Sequence, residues 1–271
     1  MCNKQSIMKK VIYTLLLVMG SLSVQSCNLL AAAGLTSQGQ PVKEVSETLP
    51  TPNKEIIDHF QWDQLLKKYV ASNGLVDYKG FMKERSKLQS YLQMLSQNPP
   101  QESWNTAELL AYYINTYNAY TVELILKNYP VESIKDIKGP WTKGIVPIGD
   151  NTLSLGGIEN GILRKMDEPR IHFAINCASF SCPNLLNEAY TASKIEAQLE
   201  KATNAFINGD KNELSQTNPK LSHIFKWYKK DFKVNGEKDL IAYINQYAKT
   251  KINPDAMIDF LEYDWSLNEQ P

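Results

Sequence analysis

From Ala107 to Lys127 the chain writes a helix with no broad polar side to turn toward water, closed by Asn128-Tyr129-Pro130. Leu109, Leu110, Ile114, Tyr117, Val122, Leu124, Ile125 and Leu126 cover most of its circumference, which predicts a helix buried on nearly all sides. A fold containing it must wrap the remaining elements around it. The few polar residues on such a helix are therefore informative. At about 100° per residue, Glu108, Asn115 and Asn118 fall within roughly 80° of one another, beside the small Ala111 and Ala119. Buried polar groups need partners, so this stripe must face a polar network or a wet cleft. Glu108 has a second reading, because Asn105-Thr106-Ala107-Glu108 resembles a capping box.

The densest chemistry lies in Ile171 to Pro183, which holds His172, Cys177 and Cys182, in a chain with three histidines and four cysteines. Its opening reads as a strand running into a tight loop. Strand alternation would send His172, Ala174 and Asn176 one way, and Phe173, Ile175 and Cys177 the other. Cys177 is then a small buried hydrophobe, while Cys182, beyond the strand, can return to the His172 face. This arrangement carries Cys/His/Asn logic, with Cys182 as nucleophile, His172 as base, and Asn176, Asn115 or Asn118 orienting the imidazole or donating to an oxyanion. Asp264 is a further orienting candidate. A competing reading closes the loop with a Cys177–Cys182 disulfide. Zinc on His172, Cys182 and Glu108 lacks any tight ligand spacing, so neither metal nor cofactor is expected.

The amino terminus addresses the compartment. Lys4, Lys9 and Lys10 precede an apolar run from Val11 to Val24, shorter than the roughly 20 residues of a membrane-spanning helix. It reads as the core of a signal peptide over residues 1–26, followed by Cys27 as a lipidated first residue. Removing that segment takes three lysines and no acid from a chain with 29 basic and 29 acidic residues, leaving a net charge of −3. No basic stripe remains, so nucleic acid is not an expected partner. Residues 28–54, rich in small and polar residues, read as a flexible tether of about 30 Å. The expected location is the cell envelope, lipid-anchored and extracytoplasmic, with the membrane held through Cys27.

Residues 55–271 are within the range of one domain. Amphipathic helices are predicted around Trp62–Val70 and Glu84–Ser96, with a short extended piece at Leu75–Tyr78 between them. Two β pieces, Ile145–Ile148 and Thr152–Leu155, flank a three-residue connection, Gly149-Asp150-Asn151. Helices follow over Ser154–Lys165, from a capping box at Ser193-Lys194-Ile195-Glu196, and over Ser222–Lys230 and Lys238–Lys249. Asp259–Trp265 alternates as a half-buried strand. The fold class is α+β: a helix-rich single domain with a small, mainly antiparallel sheet around the buried helix at 107–127.

Several of these segments together resemble the family called domain of unknown function number 547, in its exported bacterial lipoprotein branch. The resemblance rests on Val76 to Lys79, Tyr113 to Ala119, Ser154 to Arg164, Pro169 through Pro183, Phe225 to Tyr228 and Tyr263 to Asn268. It spans nearly everything from Trp62 to Asn268. After Ile158-Glu159 the family commonly has a histidine where this chain has Asn160. The resemblance implies a fold neighbourhood and no established reaction. Cys177, Glu108, Glu159 and Asp264 are supporting site candidates beside the five named above. Two functional classes remain: a tethered thiol hydrolase or acyltransferase acting on envelope peptides or amides, or a lipoprotein that binds a peptide, amide or protein without turnover.

Overall fold

A computed structural model describes residues 36–45, 49–51 and 55–271. The signal segment, Cys27 and much of the expected tether lie outside the described residues. Eight α-helices are present among those described: α1 Phe60–Tyr69, α2 Tyr78–Lys83, α3 Arg85–Gln97, α4 Thr106–Asn128, α5 Leu155–Gly161, α6 Ile195–Ile207, α7 His223–Trp227 and α8 Leu240–Tyr247. None is long and apolar enough to cross a membrane. Six short strands among the described residues make three two-stranded pairs. β1 Val146–Ile148 with β2 Asn151–Leu153 and β4 Lys233–Val234 with β5 Glu237–Lys238 are antiparallel, whereas β3 Lys220–Leu221 with β6 Asp259–Phe260 is parallel.

The α4 helix is the axis of the fold, and every residue from Ala107 to Leu126 is buried. Its polar groups are satisfied one by one, as burial requires. Thr116 and Thr121 return their hydroxyls to the carbonyls of Tyr112 and Tyr117, and Glu123 takes a two-point bond from Arg85 at 2.8 and 3.1 Å. At the amino end, Asn105 accepts from the Glu108 N–H, but the Glu108 carboxylate accepts from Ile56 N–H at 3.0 Å. Only half of the expected capping box forms.

Around this axis α1, α3 and α5 pack one large core. A second, smaller core gathers Phe173, Phe206, Leu221, Phe225, Phe232 and Tyr243 from α6, α7, α8 and the strands beside them. The segment Pro169–Phe173 joins the two, giving Ile171 to the first and Phe173 to the second. It is a turn of 3-10 helix, not the strand its residue types imitate. Pro169 fixes the first position, the Glu168 carboxylate accepts from Arg170 N–H, and all of Ile171 through Asn176 is buried. With cores on both sides there is no solvent face to alternate against, so the separation of His172 from Cys177 onto opposite faces does not hold.

Smaller differences have local causes. Tyr78 opens a helix because Asp77 caps it, accepting from Gly80 N–H at 2.7 Å. The β1–β2 connection is two residues, Gly149-Asp150, with Gly149 at φ +55°. Ser193 does not cap α6; instead the Glu55 carboxylate accepts from the N–H groups of Ala192 and Ser193 at 2.9 Å each. Within the expected tether, Pro41 accepts from the Tyr113 hydroxyl, Lys43 bonds the Trp104 carbonyl at 2.6 Å, and Val45 N–H reaches Met166 O at 2.7 Å. That stretch lies against the domain.

Candidate active site

Three asparagines build the loop that carries both described cysteines. Asn118, from the middle of α4, donates to Ala174 O at 3.0 Å and accepts from Asn176 N–H at 2.8 Å, copying a backbone pairing with one side chain. Asn176 donates to Pro183 O at 2.7 Å and accepts from Ala178 N–H at 2.9 Å. The loop's two ends are thereby tied together, with Cys177 and Cys182 just inside the knot. Asn268 adds a bond to Asn176 at 3.3 Å. Ala178 is turned to φ +59°, which lets the chain reverse tightly after Cys177. Asn115 makes the same two-point clamp on Tyr190, at 2.7 and 3.0 Å.

The loop forms one side of a cleft of about 330 Å³, lined also by Tyr117, Glu159, Asn160, His172, Tyr228 and Tyr263. Cys177 is half-buried there and Cys182 is buried; both are free thiols. The Cys177 sulfur sits in a triangle with the Ser179 hydroxyl at 3.0 Å and the Tyr263 hydroxyl at 3.3 Å, and those two hydroxyls are 2.9 Å apart. Hydrogen bonding from the Cys182 thiol lowers the Cys177 pKa below the ordinary thiol value, and the two hydroxyls reinforce it against burial. Burial, then the neighbouring Cys177, pushes Cys182 well above that value. Burial also raises Tyr263, so the hydroxyl keeps its proton as a donor. Of the two sulfurs, Cys177 is thus the more acidic and the less buried.

His172 approaches the same cleft from the 3-10 turn. Its Nε2 is 2.9 Å from Asp231 Oδ2, its ring stacks on Tyr228 with centroids 3.9 Å apart, and its buried Nδ1 has no hydrogen-bond partner among the described residues. Burial works to raise the Asp231 pKa, but hydrogen bonds from His172 and Arg164 overcome it and hold the carboxyl well below the usual range. With Asp231 ionised, His172 Nε2–H is the donor to its carboxylate, and Nδ1 is the ring nitrogen that this bond leaves free. Arg164 grips Asp231 at 2.6 and 2.8 Å and bonds Asn160 Oδ1 at 2.8 Å. Glu159, also buried, accepts from the hydroxyls of Tyr117 and Tyr228.

Residues 101–207 match the family model described as Protein of unknown function, DUF547. Comparisons with curated proteins and with solved structures found no match. The DUF547 span contains the α4 clamps, Glu159, His172 and both cysteines of the loop, whereas Asp231, Tyr228 and Tyr263 come from the chain beyond it.

Of the residues singled out from sequence, Cys177, Cys182, His172 and Glu159 meet at the cleft. Asn176 and Asn118 stand directly behind them with their amides committed to backbone. Asn115 clamps Tyr190 instead, and Glu108 sits at the amino end of α4 against Ile56, so neither lines the cleft. Nor do His172, Cys182 and Glu108 converge as metal ligands would. The Asp264 carboxylate accepts from Ser266 N–H on the surface, and Asp231 is the carboxylate that holds His172. Asp231 carries no local sequence signal. Tyr228 and Tyr263 do have one, since each belongs to an aromatic cluster, Phe225 to Tyr228 and Tyr263 to Trp265.

Proposed function

We propose that this chain is a lipid-anchored, extracytoplasmic thiol hydrolase or acyltransferase acting on peptides or amides of the cell envelope, with Cys177 as the nucleophile. The observation that carries the reading is the Cys177 sulfur, hydrogen-bonded with two hydroxyls in a cleft that also receives the Asp231-bound imidazole of His172. Cys182, the nucleophile expected from the strand reading, is the buried thiol behind it. In the forward step the Cys177 thiolate adds to the carbonyl carbon, and the developing oxyanion is met by the Tyr263 hydroxyl. His172 Nδ1 receives the thiol proton and returns it to the leaving amine. Asp231 and Arg164 position that imidazole without touching substrate. Water or an acceptor amine then releases the acyl group from sulfur.

Turnover of a p-nitrophenyl acyl ester or a peptide amide tests this reading. Cys177→Ala and His172→Ala each abolish it, and turnover surviving in Cys177→Ala overturns it. The anchoring half rests on the basic and apolar leader before Cys27. Metabolic labelling with an alkynyl fatty acid tests it, with Cys27→Ser expected to lose both label and membrane association. A second reading, binding without turnover, draws support from the row of rings along the cleft. Trp227, Tyr263 and Trp265 lie 4.6–5.8 Å from one another, and Trp227 is 45% exposed. Under that reading Cys177→Ala keeps full ligand affinity and the wild type shows no turnover.

A further inference from the structure

Cys182 has no step in the acyl reaction, yet the loop is built to keep it against Cys177. The Asn176–Pro183 bond closes the loop, Cys182 N–H donates to Ser179 O at 3.1 Å, and Cys177 N–H donates to Cys182 Sγ at 2.9 Å. A sulfur so close to its partner's own backbone nitrogen needs only a side-chain rotation to reach the partner sulfur. The two differ in access: Cys177 opens into the cleft and Cys182 is 4% exposed.

We infer that Cys177 and Cys182 form a reversible dithiol–disulfide couple that exchanges with disulfides of small or protein thiols, Cys177 attacking and Cys182 resolving. The Cys177 thiolate attacks one sulfur of a substrate disulfide, forms a mixed disulfide and expels a thiolate that takes up the proton Cys177 gave up. Cys182 then loses its proton and attacks the Cys177 sulfur, forming the internal disulfide and releasing the second thiolate, which is protonated in turn. Two electrons and two protons pass from the protein to the substrate disulfide, which leaves as two thiols. The acidity order of the pair supports these roles, because the thiolate is the attacking form. In the oxidised state Cys177 carries no free thiol, so acyl chemistry and disulfide exchange exclude one another.

The test equilibrates the mature protein with defined ratios of reduced and oxidised glutathione, quenches with acid, alkylates and measures mass. The wild type is expected to pass in one two-electron step from a doubly alkylated form to an unalkylated form lighter by two hydrogen atoms. Cys182→Ser should accumulate glutathione on Cys177, and Cys177→Ser should gain it on Cys182 at least ~10-fold more slowly. Two alkylatable thiols persisting at the most oxidising ratio, or faster capture on Cys182, overturns the proposal. The wild-type titration needs no variant, so misfolding of a substituted chain does not blur it. Failure here leaves ester turnover by reduced wild type intact, and loss of that turnover with a normal titration refutes only the acyl reading.

Discussion

Replacing Asn118 by alanine tests how the α4 helix holds the cysteine loop. The side chain is 2% exposed, and its amide satisfies two buried backbone groups, the carbonyl of Ala174 and the N–H of Asn176. Alanine strands both, at about 1–3 kcal/mol for each unpaired group, or roughly 2–6 kcal/mol together. With a urea dependence of about 2–3 kcal/mol per molar for a domain of this size, the unfolding midpoint falls by roughly 1–3 M. Asn118→Asp refines the test, since it keeps an acceptor for Asn176 N–H but turns a second carboxylate oxygen toward the Ala174 carbonyl. It is expected to be no more stable than the alanine variant. Because Asn176 also ties Pro183, the loosened loop should slow alkylation of Cys177 in the folded protein. A midpoint within ~0.3 M of wild type would show that the amide does not clamp the loop.

His59 is buried against the Tyr91 hydroxyl at 2.7 Å, and burial lowers its pKa to about 4. The unfolded chain binds a proton there that the native state refuses, so stability is full above about pH 6.5 and falls by roughly 3 kcal/mol toward pH 4. His59→Phe should flatten that slope in urea titrations. Asp231 is depressed instead, so its contribution is present above an ordinary carboxylate pKa of about 4 and is lost as pH falls further. The stability gap between wild type and Asp231→Asn should therefore narrow in acid, while ester turnover by the variant drops about 10²-fold or more at neutral pH. Gly74 adopts φ +80°, and a Cβ there would lie 2.4 Å from Asn184 Cβ. Gly74→Ala should cost about 1–3 kcal/mol by urea unfolding.

The helices were legible because their cause is local. The apolar stripes of Trp62 to Tyr69 and Leu88 to Leu95, and the fully apolar surround of α4, are written in consecutive residues and need no tertiary knowledge. Asn115 and Asn118 stood out for the same reason, as amides on a helix that water cannot reach. Ile171 to Asn176 misled because β-branched and aromatic residues in a short run imitate a strand, while Glu168 and Pro169 already mark a capped turn. The orienting carboxylate was out of reach. Asp231 lies 59 residues from His172, on a turn where its N–H bonds Tyr228 O at 2.8 Å, and only the packing of the second core brings it there. The choice between two cysteines likewise depended on which sulfur meets Ser179 and Tyr263, a contact spanning 86 residues.

The pH dependence of alkylation at each cysteine tests the central claim most directly. Reduced mature protein is pulsed with iodoacetamide across a pH series, unfolded, and mapped by peptide mass. Cys177 is expected to react at neutral pH, titrating below the ordinary thiol value of about 8.5, and to move upward in Tyr263→Phe and Cys182→Ser. Cys182 should stay protected until the protein unfolds. If Cys182 reacts first, or Cys177 titrates at or above the ordinary value, Cys177 is not the activated nucleophile of this cleft.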